Sequence, residues 1–313
     1  MNKKPYIKSF LNKEGERIMS KHIMIDPGHG GHDSGATGNG CYEKNITLEV
    51  SLAVRDRLKA HGFKVTMTRE KDEYVGDASA RGRLIGQSKA DYGISIHVNS
   101  ASGVATGAEV IAPIKEKYAY TECALKQYLS EIGPFRKVFS RDYHSGTNYN
   151  REITNRLFVT NYNKTDYYGV IREAWKHGVS ADIVELFFIN NAEDVKRYMS
   201  QKNAYVEAIV HAICDAFDVT YQPVKAEKPS TSTNHWYRVV VGSYGDKASA
   251  ENVKKRLEGQ GYKGVWLQSA NVNGKTYTRV ICGSYEERSN ADQIKVTLEG
   301  KGYTGVWIDV VKK

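Results

Sequence analysis

The fold of the first part of the chain is decided by residues 22–31, which read HIMIDPGHGG. The apolar run from His22 to Ile25 is typical of a buried strand, and the proline and glycines that follow it end the strand. A helix is predicted over residues 43–61, where apolar residues recur at helical spacing and Gly62 acts as a stop signal. A strand followed by a helix is the building unit of an α/β fold.

The same alternation continues as far as residue 217. Further strands are predicted at residues 63–68, 92–98, 107–112 and 181–188, and further helices at residues 79–89, 118–132, 166–176 and 192–217. Residues 136–165, rich in tyrosine, asparagine and arginine, receive no predicted element. Strands that alternate with helices predict an α/β fold in which a mostly parallel sheet is flanked by helices.

The C-terminal part contains an internal repeat. Gly-Ser-Tyr at residues 242–244 recurs at residues 283–285, and Gly-Val-Trp at residues 264–266 recurs at residues 305–307. Each copy predicts a strand, a helix and a strand, so that the pair predicts one small α+β domain with βαββαβ order and a ferredoxin-like arrangement. Trp266 and Trp307 are expected to pack into its core.

These patterns divide the chain into two domains, an N-terminal extension and a linker, and the length of the chain also favours two domains. Residues 1–19 are predicted to be an N-terminal extension, residues 20–218 the first domain, and residues 236–313 the second domain. Residues 219–235 contain two prolines, several serines and threonines and few apolar residues, and are predicted to be a linker.

Composition bounds the partners and the compartment. The formal net charge of +9 indicates an anionic partner, which nucleic acid, a membrane surface or an anionic wall polymer would each satisfy. The 21 tyrosines favour interfaces that stay partly wet, such as sugar surfaces. The four cysteines form no CxxC pair, which argues against a disulfide framework. No signal-peptide core and no run of about 20 apolar residues is found, so we expect synthesis in the cytoplasm and no membrane insertion.

Histidines and carboxylates at strand ends are candidate metal ligands. His29 follows the first predicted strand, His97 lies near the end of another, and Glu43 opens the first long helix. Sites in open α/β sheets gather at the carboxyl ends of strands, and two histidines with one carboxylate form a recurrent catalytic zinc set. Glu185, inside an apolar strand, is a candidate proton carrier. Together these residues offer the parts needed to hydrolyse an amide.

Residues 20–217 resemble the catalytic domain of zinc-dependent N-acetylmuramoyl-L-alanine amidases that open with DPGHGG. The matching stretches, in order, are residues 25–31, 43–45, 68–69, 95–99, 184–186, 190 and 193–194. The resemblance implies one zinc ion (Zn2+) held by His29, Glu43 and His97, with Glu185 as the catalytic glutamate. It also implies cleavage between N-acetylmuramic acid and the L-alanine of the stem peptide, which makes bacterial peptidoglycan the partner. Asn99 and Arg69 are candidate substrate contacts.

Residues 236–313 resemble a SPOR domain, a peptidoglycan-binding module. Residues 237–244, YRVVVGSY, match the opening of that family with Val240 in place of a glutamine. The resemblance implies binding of glycan strands across the sheet, with Tyr237, Tyr244 and Tyr285 as candidate contacts. Sheets of this kind can also bind single-stranded RNA, but the RNP1 pattern is absent, and no nucleic-acid partner is expected.

Two other functions remain open at this point. The first is a different zinc peptidase of the wall, a carboxypeptidase or an endopeptidase, and the second is a wall-binding protein whose catalytic domain is inactive. A wall substrate without a signal peptide predicts release through a holin or by cell lysis. A phage or prophage endolysin is therefore the expected setting, with an autolysin of a spore-forming cell as the alternative. The sequence predicts no oligomeric state.

Overall fold

The computed structural model describes residues 21–101, 104–160, 162–223, 235–286 and 288–313. The chain forms two compact units that divide after Pro223. The predicted N-terminal extension lies outside the described residues, and so does most of the predicted linker. No helix in the described ranges has both the length and the apolar character that crossing a membrane requires.

The first unit contains strands and helices in alternation. Its strands are β1 (His22–Pro27), β2 (Thr37–Gly38), β3 (Cys41–Tyr42), β4 (Lys64–Met67), β5 (Tyr92–Asn99), β6 (Ala108–Ile111), β7 (Phe135–Arg141), β8 (Asn148–Asn150), β9 (Ile153–Thr154), β10 (Leu157–Phe158) and β11 (Ala181–Phe188). Its helices are α1 (Glu43–Ala60), α2 (Ala78–Gln87), α3 (Tyr120–Ser130), α4 (Gly169–Lys176) and α5 (Ala192–Ala216).

Seven of these strands form one sheet, in the order β4-β1-β5-β11-β6-β7-β8. The first four strands in this order are mutually parallel. Strand β6 runs antiparallel to β11 but parallel to β7, and β8 is antiparallel to β7. This arrangement confirms the predicted mostly parallel sheet.

Helices cover both faces of the sheet, as predicted. Ile23 and Ile25 of β1 lie in the larger core, which includes apolar residues of α1, α3 and α5, whereas Met24 lies in the smaller core with residues of α2 and α4. This split follows from the pleat, because successive side chains of a strand point to opposite faces. Each fully buried aliphatic side chain stabilises the unit by about 1.5–3 kcal/mol relative to exposure.

One region for which the sequence predicts no helix or strand does form strands in the protein. Residues 136–165 supply most of β7 and all of β8, β9 and β10, and β7 extends the main sheet beyond β6. Helix α4 also begins three residues later than predicted. The carboxylate of Asp166 accepts a hydrogen bond from the backbone N–H of Ile114 at 2.8 Å. This bond ties Asp166 to the loop that follows β6, and Asp166 does not join the helix.

The second unit is a four-stranded antiparallel sheet with two helices. Its strands are β12 (His235–Tyr244), β13 (Trp266–Val272), β14 (Lys275–Tyr285) and β15 (Trp307–Lys312), and its helices are α6 (Lys247–Gly259) and α7 (Arg288–Gly300). The sheet order is β13-β14-β12-β15, with antiparallel pairing throughout. The chain order βαββαβ and the ferredoxin-like arrangement are confirmed.

The core of this unit lies on one face of its sheet. Val265 and Val306 are buried in the core, together with apolar residues of α6 and α7. Trp266 and Trp307 come directly after these valines and are not part of the core. Because side chains alternate along a strand, the two tryptophans lie on the opposite face. The expectation that they pack into the core was wrong.

Candidate active site

The turn after β1 holds the first candidate ligand in an unusual backbone conformation. His29 has a φ of 60°, in the left-handed region that glycine favours, and Gly30 and Gly31 continue with positive φ values. The turn is closed by a hydrogen bond from Gly30 N to Asp33 O at 2.9 Å, and the guanidinium of Arg81 donates to the carbonyl of His29. A strained residue that its surroundings fix in this way is common at functional sites.

His29, Glu43 and His97 converge, as predicted. One potential ligand atom from each lies within 4.8 Å of the others. His29 Nε2 is 3.1 Å from Glu43 Oε2, and His97 Nδ1 is 2.9 Å from Glu43 Oε1. Glu43 is 3% exposed, and its carboxylate also accepts hydrogen bonds from the backbone N–H groups of Ala36 and Val98. Three donor groups that metals prefer therefore face one point.

The electrostatics of this triad favour an added positive charge. Burial would raise the pKa of Glu43, but the hydrogen bonds and charges of the two histidines hold that pKa well below its ordinary range. Burial would lower the pKa of His97, but the hydrogen bond and charge of Glu43 outweigh burial and raise the pKa to about 9. Protons or a divalent cation can supply this charge, so the donor set fits a zinc ion.

Neighbouring groups orient the histidines. Asp33 Oδ2 lies 2.9 Å from His29 Nδ1, on the side of the ring away from Glu43. A proton on Nδ1 shared with this carboxylate leaves the Nε2 lone pair directed at Glu43, which is the usual arrangement for a metal-binding histidine. His32, three residues further on, is exposed, lies with its ring centre 4.2 Å from that of Tyr74 and does not join the triad.

Two glycines leave the space that the ligands fill. A Cβ at Gly28 would lie 2.3 Å from His97 Cε1, and a Cβ at Gly35 would lie 2.6 Å from Glu43 Oε2. Both distances are far inside van der Waals contact. The ring of His97 thus packs directly over the backbone of the HIMIDPGHGG stretch.

Buried polar side chains inside the protein hold the turn in place through hydrogen bonds. Asp26 is fully buried, and its carboxylate accepts hydrogen bonds from Thr68, Arg81 and Ser95. Arg81 also donates to the carbonyl of Pro27 at 2.9 Å. Asp26 therefore fixes the turn and is not a member of the triad.

Arg69 corrects the sequence-based expectation of a substrate contact. Its side chain is 2% exposed, and its guanidinium donates to the backbone carbonyls of Pro27, Gly28, Lys44 and Lys71 and to the hydroxyl of Thr47. Each of the three guanidinium nitrogens therefore has at least one acceptor within the protein. Arg69 therefore joins the turn to α1 and cannot reach a substrate.

We expect Arg69→Ala to destabilise the first unit by about 3–5 kcal/mol, because several buried carbonyl groups would lose their donor. Arg69→Lys should recover only part of the loss, since an ammonium cannot reproduce the planar fork. Urea unfolding monitored by circular dichroism measures the effect. Arg83→Ala, at an exposed position of α2, is the control. Loss of activity in Arg69→Ala with unchanged stability would contradict the structural role.

Glu185 lies beside the triad. In the register of the sheet, Glu185 of β11 pairs with His97 of β5. Glu185 Oε2 is buried and has no hydrogen-bond partner among the described residues. Burial raises the pKa of Glu185 to about 7, against the opposing charge of His97 and with the charges of Glu43 and Glu109 adding to the rise. A carboxyl group with this pKa can both accept and donate a proton near neutral pH.

The sequence missed other residues next to Glu185. Glu109 of β6 pairs with Glu185 in the register and is 4% exposed. Asn99, the other predicted substrate contact of this unit, donates its amide N–H to Glu109 Oε2 at 2.9 Å and remains half-buried at the edge of the site. Tyr168 directly precedes α4; burial raises the pKa of its hydroxyl, the charge of Arg141 lowers it, and the charge of Glu185 raises it. No local pattern identifies Glu109 or Tyr168, because long-range pairing of strands and loops brings them to the site.

The second unit presents a different surface from the one predicted. Tyr237, Tyr244 and Tyr285 pack against its core, on the side of the helices. The opposite face carries Trp266 and Trp307, each with an arginine over its ring: Arg238 lies 5.9 Å from the ring centre of Trp266, and Arg279 lies 5.5 Å from that of Trp307. The aromatic surface opposite the helices thus belongs to tryptophans, not to the predicted tyrosines.

Comparisons with known proteins give a family match for each part of the chain. Residues 23–217 match the family model described as N-acetylmuramoyl-L-alanine amidase, and residues 218–268 and 236–308 match that of the SPOR domain. The sporulation-specific N-acetylmuramoyl-L-alanine amidase of Bacillus subtilis (strain 168) is 28% identical over 248 residues, which cover 78% of this chain and 84% of the relative.

Two further matches extend the comparison. The N-acetylmuramoyl-L-alanine amidase CwlM of Bacillus licheniformis is 27% identical over 243 residues, which cover 77% of this chain and 82% of that protein. Among solved structures, Cwp6 from Clostridium difficile superposes with a TM-score of 0.51 at 25% identity, covering 65% of this chain and 30% of that chain.

Proposed function

Because the chain belongs to the N-acetylmuramoyl-L-alanine amidase family, we propose that it uses one zinc ion to hydrolyse the bond between N-acetylmuramic acid and the L-alanine of the stem peptide. The observation that carries this proposal is the convergence of His29, Glu43 and His97 with the unpaired carboxyl group of Glu185 beside them. These three ligands would hold the ion. When bound, zinc supplies Lewis acidity that polarises a carbonyl group and lowers the pKa of water.

The protein's own groups carry out the proton transfers. Glu185 takes a proton from the attacking water at its unpaired Oε2 and delivers it to the nitrogen of the departing L-alanine. Asp33 keeps the proton of His29 on Nδ1, and the backbone N–H groups of Ala36 and Val98 hold the carboxylate of Glu43 in place. Such positioning, set before substrate binds, avoids reorganisation during the reaction.

Mass spectrometry of digested peptidoglycan tests the reaction. Purified wall polymer incubated with the protein should yield new L-alanine amino termini, a chelator should stop their appearance, and added zinc should restore it. Released D-alanine or an opened cross-link would identify a wall peptidase instead. An unchanged polymer under all three conditions would identify a wall-binding protein with an inactive catalytic domain.

The relatives, and not the site, bear on the biological setting, for which two alternatives stay open. The sequence predicts a phage or prophage endolysin that is released by a holin or by lysis, and this stays a prediction. Similarity to a sporulation-specific amidase along 78% of the chain favours the alternative, an autolysin of a spore-forming cell. Expression of the protein during sporulation, or from an induced prophage, would decide between the two.

The SPOR unit is proposed to hold the enzyme on glycan strands through the face that carries Trp266 and Trp307. Aromatic rings offer flat apolar surfaces to sugars, and the arginines above them add positive charge. The double variant Trp266→Ala/Trp307→Ala should weaken sedimentation with purified wall about tenfold, the effect of roughly 1.4 kcal/mol. Tyr244→Phe, on the helix side, should sediment as the wild type does. If Tyr244→Phe weakened sedimentation more than the double variant did, the tyrosines and not the tryptophans would form the glycan-binding surface.

A further inference from the structure

Strand β7 approaches the active site with an irregular register. Ala108 of β6 pairs with Phe135, and the next residue, Glu109, pairs with Lys137, so that Arg136 is an extra residue on β7. An extra residue of this kind is a β-bulge, a device that redirects side chains and is frequent beside active sites. Here Arg136 Nε donates to Glu109 Oε1 at 2.7 Å, and Lys137 Nζ lies 3.9 Å from the same oxygen. The bulge turns two consecutive cations toward one carboxylate.

These cations lie in line with the catalytic residues. The register of the sheet forms one row across four strands, from His97 through Glu185 and Glu109 to Lys137. Neighbouring strands are about 4.8 Å apart, so the backbone of Lys137 is roughly 10 Å from that of Glu185. An extended peptide advances about 3.4 Å per residue. A substrate that reacts at Glu185 and lies across the strands reaches Lys137 within about three residues.

The charges of Glu109, Arg136 and Lys137 do not cancel. Glu109 supplies one negative charge, and its other oxygen is occupied by the amide of Asn99 at 2.9 Å. Arg136 and Lys137 supply two positive charges, and their side chains are 40% and 30% exposed. Within the described residues, their other ion-pair or ring contacts are with Phe188 and Phe139, whose rings carry no formal charge. One positive charge is therefore left for an anionic group that enters from solvent.

We propose that Arg136 and Lys137 form a subsite for a free carboxylate of the stem peptide, within about three residues of the scissile bond. This inference rests on the proposed amidase function. The lactyl carboxyl group of an intact substrate is already part of the scissile amide, so free carboxylates belong to the peptide and not to the uncharged sugars. Arginine and lysine are the side chains suited to this ligand, which each can bind with charge-assisted hydrogen bonds.

Chemical amidation of the substrate tests the subsite. Peptidoglycan would be used in two forms, one with free carboxylates and one after carbodiimide coupling to ammonia. The full-length wild type should show a KM about tenfold higher for the amidated form, with kcat changed less than twofold, because one charge-assisted hydrogen bond is lost. Lys137→Gln should show the raised KM on the free form and little further change on amidation. Lys137→Glu should reverse the preference.

Lys126→Gln, at an exposed position of α3, is the matched control and should keep the wild-type ratio between the two polymers. Because the SPOR unit is the same in every variant, an effect of amidation on that unit would persist in Lys137→Gln. Equal KM values of the wild type on both polymers would overturn the inference alone, as would an equal loss on both polymers in Lys137→Gln. Inactivity of the wild type on both polymers would overturn the proposed function and the subsite with it.

Discussion

Glutamine in place of Glu185 is expected to lower kcat about a thousandfold while the zinc content of the purified protein stays unchanged. Proton transfer by a positioned carboxylate contributes roughly 10²–10⁴ to the rate, and an amide side chain cannot perform it. Glu185 is not one of the three converging ligands, so its replacement leaves the metal in place. The measurements are steady-state hydrolysis of purified wall and metal analysis by mass spectrometry of the same preparation.

A second buried glutamate provides the matched control. Burial raises the pKa of Glu122 well above its ordinary value, and the charge of Asp182 adds to the rise, which favours the neutral form of the side chain. Glutamine has the shape of this neutral acid, and Glu122→Gln should keep full turnover. Wild-type kcat in Glu185→Gln would remove Glu185 from the mechanism. Loss of zinc from that variant would show that the carboxyl group binds metal instead.

Removal of His97 is expected to abolish both metal binding and activity. His97→Ala leaves His29 and Glu43 as the only members of the triad, and two ligands do not complete a catalytic zinc set. We expect zinc affinity to fall at least about a thousandfold, beyond the 10–100-fold typical of losing an orienting neighbour. Titration calorimetry with zinc and metal analysis after dialysis measure the change.

His32→Ala is the control for this experiment, because His32 is exposed and lies three residues from His29 but outside the triad. Its zinc affinity and its turnover should match those of the wild type. Undiminished zinc binding in His97→Ala, or an equal loss in His32→Ala, would mean that another set of residues holds the metal.

Much of the first unit could be predicted because its signals are local. The strand that begins at His22, the helix that begins at Glu43 and the strand that carries His97 each show their own period and their own stop residues. Once the strands are known to be parallel, their carboxyl ends meet at one edge, and the candidate ligands meet with them. The family resemblance added the order of the motifs.

What the sequence could not supply depends on long-range pairing. Arg69 follows a strand and precedes a polar loop, and nothing local shows that its guanidinium turns inward to the carbonyls of the turn. Strand β7 escaped prediction because the bulge at Arg136 breaks the period-two pattern. In the second unit the alternation shows which residues share a face. The helices decide which face is covered. Tyr237 therefore lies on the covered face and Trp266 on the opposite face, the reverse of what the sequence predicted.

The tight packing of the ligands over glycine restricts how the enzyme can be engineered. Exchange of glycine for alanine is a common route to higher thermostability, because it limits the unfolded chain. At Gly28 and Gly35 this route is closed, since the catalytic centre already fills the volume of the missing methyl group. Gly245 and Gly259 have open space around them and no positive φ. Exchanges of glycine for alanine that raise thermostability are therefore to be sought in the second unit, outside the candidate active site.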